Sequence, residues 1–435
     1  MTTLGILIAI ASVAALFGMA YGVRIAGLKF GWPAEAQRKL VHVGVGVHAM
    51  LLPLVLDRAS FFIFAALALV ALMILRSPWG SRGAGASVHS VERRSWGDLL
   101  FLLSVAVLFV RAPGSPALYV LPIAVLTLSD AAAAVIGTAY GRRRFGSGDR
   151  IKSIEGTAVF FVVTWMVAVT ILITATDVPR LNTVLLATVV AAFAAQVEAE
   201  SWKGLDNIFV PLGIHALLTF NGDADPLLLA LLAAAFVGSM AVAQLSARFV
   251  GMTPHALRST AVCLFLTAGM TAPRHAILPV AAFVAHVFSR RDAQNPELDD
   301  LDFVAVVCLI GVFWLTVAGI TGKLGTEFYT ITFAGVLAGL AVLCLQTRAL
   351  DRRLAAAAAI SVATFLVQRW IISGDGADIL WAGRAEAAVT AALTIAACAF
   401  GAAWRPILPY RRGPLFTALA LAIPAVAYAI ACRGG

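Results

Sequence analysis

Long apolar runs recur along the whole of this 435-residue chain, and they constrain its fold more than any other feature. A run of about 20 apolar residues is long enough to cross the hydrocarbon core of a bilayer as a helix. Inside that core each segment must satisfy its own backbone hydrogen bonds, which a helix does. The composition agrees, since 61% of the residues are hydrophobic and only 13% are charged. We therefore predict an all-α, polytopic integral membrane protein and exclude a soluble globule.

The spacing of the apolar runs predicts about sixteen transmembrane helices. Eight runs lie near residues 4–22, 41–56, 60–75, 99–111, 117–139, 157–175, 182–197 and 208–220. The others lie near 227–245, 257–270, 275–288, 302–320, 327–346, 354–370, 385–403 and 414–431. A polar segment separates the two sets, so we expect one membrane domain at 1–225 and a second, without a chemical motif, at 226–435.

Basic residues are unevenly shared among the loops of the first half, and this bias predicts the orientation. The even-numbered loops hold only Arg58, Arg111 and Arg180. The odd-numbered loops hold Arg24, Lys29, Arg38, Lys39, Arg76, Arg82, Arg93, Arg94, Arg142, Arg143, Arg144, Arg150, Lys152 and Lys203. We therefore expect the odd loops in the cytoplasm. The net charge of +9 is explained by this bias, so no nucleic-acid partner is expected. The abundance of Ala and Arg suggests a bacterial cytoplasmic membrane.

The segment 129–156 concentrates residue types that suit a nucleotide polyphosphate. Asp130 lies inside an apolar run, where a carboxylate is costly and usually functional. Gly137 and Gly141 follow at helical spacing and leave one helix face open to close approach. A basic, Gly-rich loop comes next, with Arg142, Arg143, Arg144, Arg150 and Lys152. A carboxylate for a metal, glycines and cations are together typical of phosphate binding.

Two other segments place charge beside apolar runs. Glu198 lies a few residues inside its run, and Asp206 precedes Pro211, a pattern that predicts a kinked helix entering the membrane. Arg38 and His42 are four residues apart and share one helix face. Simpler roles also fit these residue types: Asp130 as a buried partner of a neighbouring cation, Arg142–Arg144 as a topology anchor, and Glu155 as a helix cap.

Four stretches, in order, resemble the dolichol kinase and phytol kinase family. The pattern Asp-x-x-Ala-x-x-x-Gly-x-x-x-Gly, a basic loop and Lys-Ser-x-Glu-Gly is similar to its CTP-binding signature. This pattern is carried by Asp130, Ala133, Gly137, Gly141, Lys152, Ser153, Glu155 and Gly156. The other stretches are Arg38–His42, Arg93–Asp98, and Glu198–Asn207 with Pro211. The resemblance covers roughly residues 35–215.

This resemblance implies a kinase that transfers the γ-phosphate of CTP, or of another nucleoside triphosphate, to a long-chain isoprenoid alcohol such as phytol, a polyprenol or dolichol. Mg²⁺ is the expected cofactor, and the active site is expected to face the cytoplasm. The expected catalytic residues are Asp206, Asp130, Lys152 and His42. The expected metal ligands are Asp130, Asp206 and Glu198. The expected nucleotide contacts are Gly137, Gly141, Arg142, Arg143, Arg144, Lys152, Ser153, Glu155, Gly156, Arg38 and Lys39.

Two other functions stay open at this point. A phosphatidate cytidylyltransferase similar to CDP-diacylglycerol synthase shares the Lys-x-x-Glu-Gly element at 152–156. Its later Gly-His-Gly-Gly and Asp-Arg-x-Asp elements are absent from this sequence. A lipid transporter or flippase would suit the many spans, but transporters place broken and charged segments near the bilayer midplane. Here the charged stretches gather at the ends of the spans.

Overall fold

A computed structural model describes residues 3–76, 96–146, 151–289, 296–321, 325–374, 385–404 and 412–433. Arg82, Arg93, Arg94 and Arg150, all of them in predicted cytoplasmic loops, lie outside these ranges. The described chain is helical apart from one small hairpin, in which β1 (Arg144–Phe145) pairs antiparallel with β2 (Lys152–Ser153). The predicted all-α class is therefore confirmed.

The chain forms two compact units, Met1–Ala234 and Ala235–Gly435. The helices of the first unit are α1 (Thr3–Phe30), α2 (Ala34–Val55), α3 (Arg58–Arg76), α4 (Gly97–Arg111), α5 (Pro116–Ala124), α6 (Asp130–Tyr140), α7 (Ile154–Ala175), α8 (Arg180–Glu200) and α9 (Asp206–Asn221). A π-helical turn at Val125–Ser129 joins α5 to α6. Helix α10 (Pro226–Val250) contains the boundary between the units.

The second unit is built around one buried helix. Its helices are α11 (Pro254–Met270), α12 (Ile277–Ser289), α13 (Pro296–Thr321), α14 (Thr326–Leu343), α15 (Leu350–Ser373), α16 (Ala385–Trp404) and α17 (Arg412–Arg433), with a 3₁₀ turn at Pro273–Ala276. Helix α14 packs against α12, α15, α16 and α17, and nearly all of its residues are buried.

Ten described helices are long and apolar enough to cross a membrane. They are Thr3–Phe30, Ala34–Val55, Arg58–Arg76, Pro116–Tyr140, Ile154–Ala175, Arg180–Glu200, Pro226–Val250, Thr326–Leu343, Leu350–Ser373 and Ala385–Trp404. The protein is thus a multi-pass membrane protein. Helices α4 and α9, both predicted as spans, have only 15 and 16 residues. The count of about sixteen spans stays a prediction.

The burial pattern of the first unit, with apolar side chains on its surface, fits a lipid environment. Helix α1 exposes apolar side chains such as Leu4 and Leu7 at 66% and 59% of their surface. Helix α8 instead buries most of its length and carries alanines at Ala187, Ala191 and Ala194. Small residues let helix backbones approach closely, and close packing drives helix association in lipid. The core of this unit therefore lies along α8.

The first predicted loop, residues 23–40, is largely helical. Helix α1 extends to Phe30 and α2 begins at Ala34, so Arg38 and Lys39 lie on the first turns of α2. Long basic side chains can keep their aliphatic stems on apolar surface while their charged ends reach polar surroundings, which makes a helical position tolerable for them. Lys39 and His42 therefore lie on one helix, and neither belongs to a loop.

Candidate functional site

The π-helical turn at Val125–Ser129 ends directly before Asp130, inside one continuous apolar span. A π turn is rare and often marks a functional position, because its extra residue disturbs the regular backbone ladder. Asp130 therefore opens α6 immediately after the irregularity. The carboxylate is mostly buried, with 16% of its side chain exposed.

Helix α2 supplies the partners of Asp130. The Lys39 ammonium donates to Asp130 Oδ2 at 2.5 Å, and only 10% of the Lys39 side chain is exposed. One turn along α2, His42 Nε2 lies 3.6 Å from the same oxygen and 3.3 Å from the carbonyl oxygen of Leu126 in the π turn. The His42 ring also lies against Phe101 of α4, with ring centroids 5.9 Å apart. Asp130, Lys39 and His42 form one contact group.

A second ion pair joins the hairpin to the end of α8. The Lys152 ammonium donates to the Glu198 carbonyl oxygen at 2.5 Å and pairs with Glu198 Oε1. Burial alone would lower the pKa of Lys152, but the carboxylates of Glu198 and Asp206 outweigh burial and raise that pKa above 10.5. Lys152 is therefore a cation throughout the physiological range. Glu198 is buried, with 7% of its surface exposed.

Asp206 connects the two pairs electrostatically. Its carboxylate, on the first residue of α9, interacts with Arg38, His42, Lys152 and Glu198. Asp130 also interacts with Lys152. We call the residues Arg38, Lys39, His42, Asp130, Lys152, Glu198 and Asp206 the charged cluster. Three of the four family-like stretches contribute to it.

The remaining family-like stretch reaches the same region through its backbone. The N–H of Trp96 donates to the carbonyl oxygen of Lys203 at 3.0 Å. Lys203 and Gly204 adopt φ values of 54° and 83°, the left-handed region that only glycine enters at little cost. This turn brings α8 back into α9 and sets the position of Asp206.

The predicted glycines serve helix packing. A Cβ on Gly137 would lie 3.0 Å from Ser153 Oγ, and one on Gly156 would lie 3.1 Å from the carbonyl oxygen of Ala133. Gly141 is tighter still, since its Cβ would lie 2.7 Å from Ser153 Cβ. Ser153 Oγ accepts from the Gly156 N–H at 3.1 Å and so caps α7. These residues hold α6 against the start of α7, and thereby hold Lys152 near Asp130.

The arginines predicted to contact phosphate lie outside the charged cluster, apart from Arg38. Arg142, Arg143 and Arg144 are exposed on the hairpin. The Arg143 N–H lies 3.3 Å from both carboxylate oxygens of Glu155, and the Arg143 carbonyl oxygen accepts from Ile154 N at 2.9 Å. Glu155 therefore stabilises the base of the hairpin. Arg38 pairs with Glu35 at 2.6 Å on the exposed side of α2.

The carboxylates suit a metal that arrives with phosphate ligands. Among the described residues, no three His, Cys, Asp or Glu side chains are placed to hold a metal ion by themselves. Mg²⁺ in nucleotide sites typically takes only one or two carboxylates and completes its shell with phosphate oxygens and water. Asp130 and Asp206 could supply those two. Glu198, the third predicted ligand, is held by Lys152.

The comparisons with known proteins found a relative among kinases. A phytol kinase of Synechocystis sp. (strain ATCC 27184 / PCC 6803 / Kazusa) is 29% identical over 198 residues, which is 44% of this chain and 81% of the relative. This similarity confirms the resemblance that the motifs predicted, over part of the chain. No protein-family model matches the chain. No solved structure matches it either.

Proposed function

We propose that the protein is an integral-membrane kinase that transfers the γ-phosphate of CTP to a long-chain isoprenoid alcohol such as phytol, a polyprenol or dolichol. The observation that carries the proposal is the charged cluster, in which two buried lysine–carboxylate pairs and Asp206 meet at the ends of apolar helices. The similarity to a phytol kinase supports the lipid-alcohol class of acceptor. CTP as donor rests on the resemblance of the 130–156 pattern alone.

In phosphoryl transfer the protein mainly positions the reacting groups and compensates the negative charge of the phosphates. Lys39 and Lys152 are the cations closest to the carboxylates, and we assign them to the phosphates of the nucleotide. Asp130 and Asp206 would hold Mg²⁺, which supplies neutralisation of charge on the phosphate oxygens when it is bound. The exposed arginines of the hairpin, Arg142–Arg144, add positive charge at the mouth of the site.

The acceptor hydroxyl needs a group that takes its proton. Asp206 is half-buried and interacts with Lys152, so we assign this role to the Asp206 carboxylate oxygen that would not hold Mg²⁺. We assign the orientation of the hydroxyl to His42. His42 is already fixed by Leu126 and Phe101. The apolar tail would lie along lipid-facing helix surfaces, since Lys39, Lys152, Glu198 and Asp206 lie near the ends of apolar helices and Asp130 lies within a span. We further propose that these ends face the cytoplasm, in a bacterial membrane and among about sixteen spans.

The test is an assay of the purified full chain in nanodiscs with a panel of phytol, farnesol, a polyprenol, dolichol and diacylglycerol. Each alcohol is offered labelled CTP or ATP, with and without Mg²⁺. We expect CDP and a lipid monophosphate, with CTP preferred and Mg²⁺ required. Release of pyrophosphate with a CDP-lipid product would instead establish a cytidylyltransferase. A lack of turnover with every alcohol, by protein that is folded, would refute the kinase.

A further inference from the structure

We propose that Lys39 keeps Asp130 closed to free divalent cations until the phosphates of a nucleotide draw the ammonium away. The metal would then enter the site only as a metal–nucleotide complex. This inference rests on the proposed function, because it takes the ligand to be a nucleotide. It adds an order of events that neither the sequence nor the family resemblance contains.

The first support is the contact itself. Lys39 Nζ lies 2.5 Å from Asp130 Oδ2, and the two side chains are 10% and 16% exposed. Removing one partner of a buried ion pair leaves a charge without compensation, which is strongly unfavourable. A free cation would have to expel the ammonium and then share the pocket with it. Repulsion between the two positive charges opposes that binding.

The second support is the charge balance of the two pairs. Lys39 with Asp130 and Lys152 with Glu198 are each neutral overall. A divalent cation alone would add two positive charges to these pairs, of which the Asp206 carboxylate would offset only one. A polyphosphate brings the opposite sign, and its oxygens are strong acceptors for ammonium groups. The lysines can therefore exchange carboxylates for phosphates only when the nucleotide is present.

The third support is that Lys39 is not the only side chain at the Asp130 carboxylate. Asp130 is the carboxylate on which both lysine and histidine converge, with His42 Nε2 at 3.6 Å from the oxygen that Lys39 holds. Access to Asp130 is thus governed by Lys39.

The experiment measures Mn²⁺ binding to the full chain by electron paramagnetic resonance, with no nucleotide present. Lys39→Met removes the charge and keeps an apolar stem, so it should bind Mn²⁺ about tenfold more tightly than the wild type, or more. Lys39→Arg keeps the pairing and should bind like the wild type. Lys29→Met removes an exposed lysine of α1 and serves as the matched control for charge. Adding Asp130→Asn to Lys39→Met should abolish the gain.

A second comparison does not depend on any Lys39 variant folding. If Asp130 is closed, the wild type and Asp130→Asn bind free Mn²⁺ equally weakly. Wild-type binding that is at least about tenfold tighter than that of Asp130→Asn would overturn the proposal. Equal Mn²⁺ affinity of wild type and a folded Lys39→Met would overturn it as well. Mn²⁺ binding is measured without nucleotide or alcohol, so neither result changes the outcome of the kinase assay. Failure of this inference and failure of the proposed function are therefore distinguishable.

Discussion

Asp130 and Glu198 are carboxylates on predominantly apolar helices, and each pairs with one lysine from a distant part of the chain. Lys39 precedes Asp130 by 91 positions, and Lys152 precedes Glu198 by 46. An ionised carboxylate in such surroundings is tolerable only when it is paired. The two pairs therefore stabilise the fold while they hold four charged groups in place for chemistry.

Charge removal at the two proposed metal ligands tests their role. Asp130→Asn and Asp206→Asn preserve size, and each should reduce the phosphorylation rate about 100-fold or more, because lost electrostatic stabilisation of this kind costs roughly 3 kcal/mol. The control is Asp177→Asn, an exposed carboxylate after the far end of α7, which should leave the rate unchanged. A near-normal rate in either site variant, measured per folded molecule, would make that residue structural.

The raised pKa of Lys152 gives a stability prediction with a defined sign. A cation whose folded pKa lies above its unfolded value of 10.5 contributes stability that is complete below pH 10.5 and is lost as pH rises through the folded value. Lys152→Met should therefore cost about 3 kcal/mol at neutral pH. The difference in thermal unfolding between wild type and variant should be constant from about pH 7 to 9 and shrink above 10.5. A difference that vanished near neutral pH would contradict the pairing.

The sequence predicted which residues carry charge into the membrane, but it did not predict how they pair. Asp130, Lys152, Glu198 and Asp206 were identifiable because a charged residue in or beside an apolar run is costly and is usually functional. Their partners depend on which helix ends meet in space. Phe101 and the Leu126 carbonyl were missed for the same reason, because an apolar side chain or a backbone oxygen has no signature in a sequence.

At the scale of elements, the contact of α6 with α7 depends on the absence of side chains. Gly141→Ala places a methyl group 2.7 Å from Ser153 Cβ, closer than real Cβ atoms approach. We expect it to cost about 1–3 kcal/mol of stability by overpacking, and to reduce activity by displacing Lys152. Gly22→Ala in α1 meets nothing within 4 Å and should be neutral or slightly stabilising. Thermal unfolding in detergent, with the rate assay, compares the two; equal melting temperatures would refute the close contact.

Element boundaries were partly predictable. The small-residue spacing at Ala133, Gly137 and Gly141 indicated a close approach, and the structure contains it. The run 117–139 was predicted as a single helix, whereas the structure has a π turn at Val125–Ser129. Hydrophobic periodicity cannot reveal such a turn in a segment that is apolar on every side, because no polar face marks the phase of the helix.

At the scale of the whole molecule, the apolar runs were sufficient to predict a multi-pass helical protein. The number of spans was harder to predict from the sequence, since α4 and α9 are apolar but short. Length alone cannot decide whether such a helix crosses the bilayer or stops inside the protein. The functional division at 225 and 226 stays a prediction that truncation can test.

Every residue of the charged cluster precedes Leu212, so the catalytic unit should survive removal of the second unit. A chain ending at Asp225 should phosphorylate the alcohol at a rate within about tenfold of the full chain, though with lower yield, because lost helix neighbours expose packing surfaces. Specific activity per folded molecule in nanodiscs is the measurement, with Asp130→Asn in the same shortened chain as the inactive control. A shortened chain that binds CTP and transfers nothing would show that the second unit supplies part of the acceptor site.

The π turn before Asp130 changes the side of the span that the following side chains face. Helix α5 buries most of its side chains, whereas α6 buries only Ala133. A π turn accommodates one residue more than an α turn, and each residue of an α-helix advances the chain by 100° around the axis. If the same five residues, 125–129, were wound as a regular α-helix, Asp130 would lie about a quarter-turn further around the axis and away from Lys39. The wider turn thereby determines whether this carboxylate points at its lysine at all.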